Sequence, residues 1–188
     1  TFPHGKNGVV KGHNAKLWNA EVYARYAALL TAMGKHLDAH PNFEGIGLQE
    51  TTYGTPIKPL TLAQSNGYYD NLLKLNRTLG TAFPNTMAYQ LANFPRPFNP
   101  TLINVLKETG GTLGATDIFI QEKGLLDVGT KNTTQGLYLF FPEVNGDMPL
   151  LSQVESSNYV NTRHDNSGYK PTVAELLNFG RDKLFSNY

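Results

Sequence analysis

The chain has 188 residues, enough for one domain with a real hydrophobic core, and its 16 basic and 15 acidic residues leave a formal charge of +1. So balanced a composition holds no basic stripe of the kind that tracks phosphates, which sets nucleic acid aside as a main partner. The absence of cysteine excludes a disulfide framework and thiolate metal sites, and the longest apolar stretch, around residues 137–142, is far too short to span a bilayer.

In chain order, residues 1–16 are rich in Gly, His, Asn and Lys and read as a loop. A helix is expected from Asn19, its N-cap, to about Asp38, with Val22, Tyr26, Leu29, Met33 and Leu37 forming one apolar stripe. His40-Pro41-Asn42 stops it, and residues 43–48 read as a short buried strand ending at Gln49-Glu50. Thr61 and Gln64 make a capping-box pair that opens a second helix, carrying Leu62, Tyr69, Leu72, Leu73 and Leu79 and running to about Ala82. A strand over 86–92 follows. Asn99-Pro100 then starts a shorter helix, with asparagine as cap and proline at the first helical position, and Gly110-Gly111 ends it.

The next strand is placed at residues 115–120. Residues 121–146, rich in glycine and asparagine, read as an elaborated loop in which only 135–141 is ordered, with one short helix. A further strand at 149–154 leads to a second capping box, Thr172 with Glu175, which opens a last helix reaching about Phe185.

Connections of several tens of residues suit parallel strands joined by helical crossovers rather than hairpins. The fold class is therefore α/β, in a single domain. Either an open doubly wound sheet or an incomplete portion of a TIM-type (β/α)8 barrel would fit. No G-x-G-x-x-G or Walker A sequence follows a strand, whereas long polar loops do. The barrel is the preferred expectation.

Two glutamates stand at the carboxyl ends of expected strands, Glu50 and Glu155. Glycosidic cleavage needs one carboxyl to protonate the leaving oxygen and a second to attack or to activate water, and different strands can bring such a pair to one cleft. Gln90 and Asn93 lie near the end of the second strand, where they could contact sugar; Asn93 could equally bond the turn before Pro95. Asn158, Tyr159, His164 and Asp165 occupy the loop after Glu155, and an exposed histidine there is more often simply solvated. Trp18 serves as a stacking platform or as a packing staple at the helix entry. No histidine has the spacing of a metal motif such as H-E-x-x-H.

Asn19-Ala20-Glu21-Val22 at a helix start, followed by His40-Pro41-Asn42-Phe43-Glu44-Gly45-Ile46-Gly47-Leu48-Gln49-Glu50, resembles the cellulase-like clan of retaining (β/α)8 glycoside hydrolases. The resemblance spans almost all of the chain. In that clan a Pro-x-x-x-Gly turn leads into the fourth strand, which ends in Asn-Glu, the glutamate being the acid/base. The resemblance therefore implies that role for Glu50, with Gln49 at the asparagine position and able to bond a sugar hydroxyl. It implies the nucleophile for Glu155, at the end of the seventh strand. The tail from Leu176 to Tyr188 looks like the seventh helix running up to an eighth strand. The segment would then begin after strand three, the rest of the barrel coming from a longer polypeptide or from another chain.

These readings converge on a β-glycoside hydrolase with a carbohydrate substrate, no cofactor, no metal, and no nucleic-acid or membrane partner. The rival is a non-catalytic carbohydrate-binding or assembly domain of barrel-like fold. A third reading is an open-sheet α/β enzyme without nucleotide. Localisation is left open by the sequence, export among the alternatives.

Overall fold

The computed structural model describes residues 1–160 and 169–188. Asn19 opens α1 (Ala20–Leu37): its side chain accepts the Val22 N–H at 3.1 Å and satisfies one of the helix's orphan donors. The buried face of α1 lies one residue from the expected stripe, with Leu30 and Gly34 at its centre, while Leu29 is 55% exposed. Gly34 is where α1 meets the second helix. A Cβ there would lie 2.2 Å from the carbonyl oxygen of Ala82.

The helix α2 (Leu62–Ala82) starts with the expected capping box, Gln64 N–H donating to Thr61 Oγ1 at 3.2 Å and Thr61 N–H to Gln64 Oε1 at 2.9 Å. Its buried residues are Tyr68, Leu72, Leu75, Asn76 and Leu79, while Leu62, at the first position, is exposed. A 3-10 turn at Arg96–Phe98 leads into α3 (Asn99–Thr109). Asn99 is not the cap. It lies inside the helix, fully buried, and its Nδ2 donates back to the carbonyl of Asn93 at 3.2 Å. Gly110 closes α3 in the left-handed conformation, φ 67°, which glycine adopts at low cost.

Six strands are described. β1 (Phe2–Lys6) and β2 (Val9–Asn14) form an antiparallel hairpin where a loop was expected. Asn7 and Gly8 both carry positive φ, 53° and 75°, as a two-residue primed turn requires. β3 (Gly45–Leu48), β4 (Met87–Ala92), β5 (Thr112–Ala115) and β6 (Leu150–Ser152) form one parallel sheet in sequential order. Their registers pair Ile46 with Ala88, Gln90 with Leu113, and Gly114 with Leu151. At the tail, Ser152 N–H donates to the Tyr188 carbonyl and Tyr188 N–H to that of Leu150, the bonding of a parallel ladder.

β5 is earlier than expected. The apolar run Ile118-Phe119-Ile120 lies beyond the strand, and its backbone is held by a side chain instead of a neighbour: Tyr138 O–H donates to the Asp117 carbonyl at 2.7 Å and accepts the Phe119 N–H at 2.9 Å. Ile118 is apolar because it packs into the core from this loop. β6 is likewise shorter than 149–154. After it come α5 (Ser156–Val160) and α6 (Val173–Asp182), the latter with its Thr172–Glu175 capping box and ending three residues before Phe185. The loop between β5 and β6 carries a 3-10 turn at Leu137–Leu139 and α4 (Phe140–Val144), so the expected short helix is present and runs past residue 141.

α1, α2 and α3 pack as successive neighbours, α2 against β4 and α3 against β5, and the leucine-rich core fills the space between them and the sheet. The architecture is α/β with a four-stranded parallel sheet. Closure into a (β/α)8 barrel needs eight strands, so a full barrel is not what the described residues form. No helix among them is long and apolar enough to cross a membrane.

Candidate functional site

All four parallel strands deliver their carboxyl ends to one side of the sheet, and the residues just past those ends carry the polar chemistry. Gln49 and Glu50 follow β3, Asn93 follows β4, Thr116 and Asp117 follow β5, and Gln153 and Glu155 follow β6. Glu50 and Glu155 border the same cleft, of about 490 Å³, together with Gln49, Gln153, Thr116 and His4. Glu50 and Thr116 also border a second cavity of about 220 Å³, where Asn93, Asp117, Glu122 and Tyr138 are found.

Glu50 is half-buried, and its Oε2 accepts a hydrogen bond from Asn93 Nδ2 at 2.9 Å. The next residue, Thr51, is fully buried and stitched to the end of β4. Its N–H donates to the Leu91 carbonyl at 3.1 Å, and its Oγ1 donates to the Phe94 carbonyl at 2.7 Å while accepting the Asn93 N–H at 3.2 Å. Gln90 supports the same segment from below. Fully buried in β4, it donates from Nε2 to the carbonyls of Gln49 and Leu91 and accepts Asn76 Nδ2 at 3.0 Å. The backbone position of Glu50 is thus set by strand β4.

Glu155 is exposed and accepts Gln153 Nε2 at 2.8 Å on Oε1. Its N–H donates to Asn158 Oδ1 at 2.7 Å, and Asn158 Nδ2 donates to Asp117 Oδ1 at 3.2 Å. The fully buried Asn158 therefore links the turn after β6 to the turn after β5.

Of the residues singled out from sequence, Glu50, Glu155 and Gln49 meet at the cleft, and Asn93 sits behind Glu50. Gln90 and Asn158 are buried with their bonds spent inside the protein. Trp18 packs its ring on Phe2 at 5.2 Å and belongs to the core margin. Tyr159 lies elsewhere, on an apolar groove with Val154 and Leu177. His164, with Asp165, lies outside the described residues.

Sequence reasoning passed over His4 and Asn14, which reach the cleft from the hairpin. The Asn7-Gly8 pair was the available signal for it. Thr116 and Asp117 were missed because the strand was placed three residues late. Tyr68 also borders the cleft, and burial, reinforced by Tyr26 and Tyr53, pushes its phenol up to about 12, so it stands there as a neutral hydroxyl. Among the described residues no group of three His, Asp or Glu side chains could hold a metal ion.

No family model, curated protein or solved structure matches this chain. Function has to be argued from the chemistry of the site. That chemistry is two carboxyl groups on one cleft walled by amides and hydroxyls. Such a set can transfer protons, offer a carboxylate oxygen as nucleophile, and hydrogen-bond a polyhydroxylated ligand.

Proposed function

We propose that this protein is a retaining β-glycoside hydrolase acting on an oligo- or polysaccharide, its sheet forming part of a (β/α)8 barrel. The observation that carries the proposal is the cleft bordered by both Glu50 and Glu155, one from each outer strand of the sheet. Sequential parallel strands with a polar rim at their carboxyl ends suit a barrel enzyme, whose site lies on that face. The ladder bonds between the tail and β6 suit a sheet that continues past β6.

In this mechanism Glu50 donates its proton to the glycosidic oxygen as the bond to the anomeric carbon breaks, and the bonding pair stays with the departing alcohol. A Glu155 oxygen forms the new bond to that carbon. Glu50, now a carboxylate, then takes a proton from the water that releases the sugar. Gln49, Gln153 and His4 serve as hydroxyl contacts.

The test is turnover of a panel of β-glycosides with poor (methyl) and activated (dinitrophenyl) leaving groups. Glu50→Gln should lower kcat/KM for the methyl glycosides by about 10²-fold or more and spare the activated ones, which need no proton. Glu155→Gln should abolish both, and the first product formed should keep the β configuration. Wild-type turnover of the methyl glycosides by Glu50→Gln, or of either class by Glu155→Gln, sinks the assignment. A carbohydrate-binding module remains the rival, favoured by the same amide-lined cleft; it would bind oligosaccharide with no turnover of any glycoside.

A further inference from the structure

We infer that Asn93 is a positioning residue for Glu50, holding it by Oε2 so that Oε1 is the oxygen that carries the transferable proton; this rests on the glycoside hydrolase reading. Asn93 is held from both ends. Its Oδ1 accepts the Phe94 N–H at 2.6 Å, which leaves only the Nδ2 end to face Glu50. Its backbone N–H is bonded to Thr51 Oγ1, and its carbonyl accepts Asn99 Nδ2 from inside α3. An amide fixed in this way presents a donor, and a donor can bond only an oxygen with a lone pair toward it. Oε2 of Glu50 is that oxygen, at 2.9 Å. Oε1 has no hydrogen-bond partner among the described residues, and because the carbonyl oxygen of a carboxylic acid accepts better than its hydroxyl oxygen, the bond on Oε2 favours the acid proton on Oε1.

The arrangement does two things for acid catalysis. It selects one of two chemically equivalent oxygens as the acid, and it restrains rotation of a side chain that would otherwise lose rotamer entropy in reaching the transition state. In the step itself the proton leaves Glu50 Oε1 for the glycosidic oxygen, whose bond to carbon breaks with its electron pair retained on that oxygen. Oε2 keeps its bond to Asn93 throughout. Asn93 therefore acts through Glu50 and need not touch the sugar.

Two measurements on the protein decide this. The first is the amide proton spectrum of the Asn93 side chain, identified by its loss in Asn93→Ala. One of its two protons should be shifted downfield and slow to exchange in the wild type, and should return to the position of a free asparagine amide in Glu50→Ala. This arm needs only the identification from the Asn93 variant, and an Asn93→Asp protein supplies the same identification if the alanine variant does not fold. The second is the leaving-group split in kcat/KM. Asn93→Ala should lose about ten-fold on methyl β-glycosides, the order of one charge-assisted hydrogen bond, and about two-fold or less on dinitrophenyl β-glycosides.

Identical Asn93 amide signals in wild type and Glu50→Ala overturn the inference, as does an equal loss on both leaving groups, which would mark a purely structural role. A wild-type protein that turns over no glycoside yet shows the shifted amide would mean the bond is real and the glycoside hydrolase reading is wrong, and the proton-carrying role falls with it.

Discussion

Replacing Gln90 with Met should destabilise the protein by about 1–3 kcal/mol while keeping the side-chain volume nearly constant. The magnitude follows from which groups lose a partner. The Leu91 carbonyl keeps the Thr51 N–H, and Asn76 Nδ2 keeps the Leu72 carbonyl at 3.0 Å. The Gln49 carbonyl loses the donor that ties it to β4. Three lost side-chain bonds, one of which leaves the Gln49 carbonyl without its donor, offset by burial of a more apolar side chain, give the stated range. Gln90→Glu should cost more at neutral pH, because a carboxylate at this fully buried position would face two carbonyl oxygens. Protonation restores one donor. The pKa of the introduced carboxyl must be raised on folding, so the stability of Gln90→Glu is highest below the ordinary glutamate value of about 4.3 and falls as pH rises. Urea denaturation of both variants at neutral pH and near pH 4 measures the two effects. A Gln90→Met midpoint equal to that of the wild type would refute the anchoring argument, and so would a Gln90→Glu deficit independent of pH.

Gly34→Ala should be destabilising by about 1–3 kcal/mol, read from thermal or urea unfolding, since the new Cβ would meet the Ala82 carbonyl oxygen at 2.2 Å. Gly8→Ala has nothing within 4 Å to collide with, so only its positive φ is at stake, and a cost of about 1 kcal/mol is expected; a loss of several times that would show the turn to be more than a backbone constraint. Alkaline stability should fall above pH 10. Burial holds Tyr68, Tyr69 and Tyr138 above the usual phenol value in the folded state, so the stabilisation of their neutral forms is intact below that value and is lost as pH rises through the folded ones. Phenolate absorbance should consequently appear in step with unfolding rather than before it.

Helix starts were the most legible part of this sequence. Asn19, Thr61 and Thr172 each announce a helix through a local side-chain bond, and such bonds depend on residues three apart and nothing else. Which face of α1 and α2 is buried was less legible, because Leu29 and Leu30 are equally apolar and only tertiary contact chooses between them. β5 defeated pattern reading for a related reason. Thr112-Leu113-Gly114-Ala115 has no strand-like run, its third residue being a glycine packed against Leu91, while the strand-like Ile118-Phe119-Ile120 is a loop braced by a distant tyrosine. At the cleft, the place of Glu50 was legible because it lies two residues past a strand with a clear turn before it. Asn93 was noticed but given to the ligand rather than to Glu50, as sequence contains no record of which donor a carboxylate meets across 43 residues of chain.

The hairpin that brings His4 and Asn14 to the cleft has little stability of its own, since two strands without a third are marginal in water. It is tied down by Gly5 N–H to the Thr55 carbonyl at 2.9 Å, Ile57 N–H to that of Pro3 at 3.1 Å, and the Phe2 ring against Trp18 and Tyr53. Its order is therefore borrowed from the segment after Glu50 and from the start of α1. One wall of the cleft should therefore open as a unit at a lower free energy than the sheet beneath it. If so, amide hydrogens of β1, β2 and residues 53–57 should exchange together and ahead of those of β4 and β5, as a hydrogen-exchange time course would show. On that expectation, access to the cleft and stability of the fold rest on different parts of one chain.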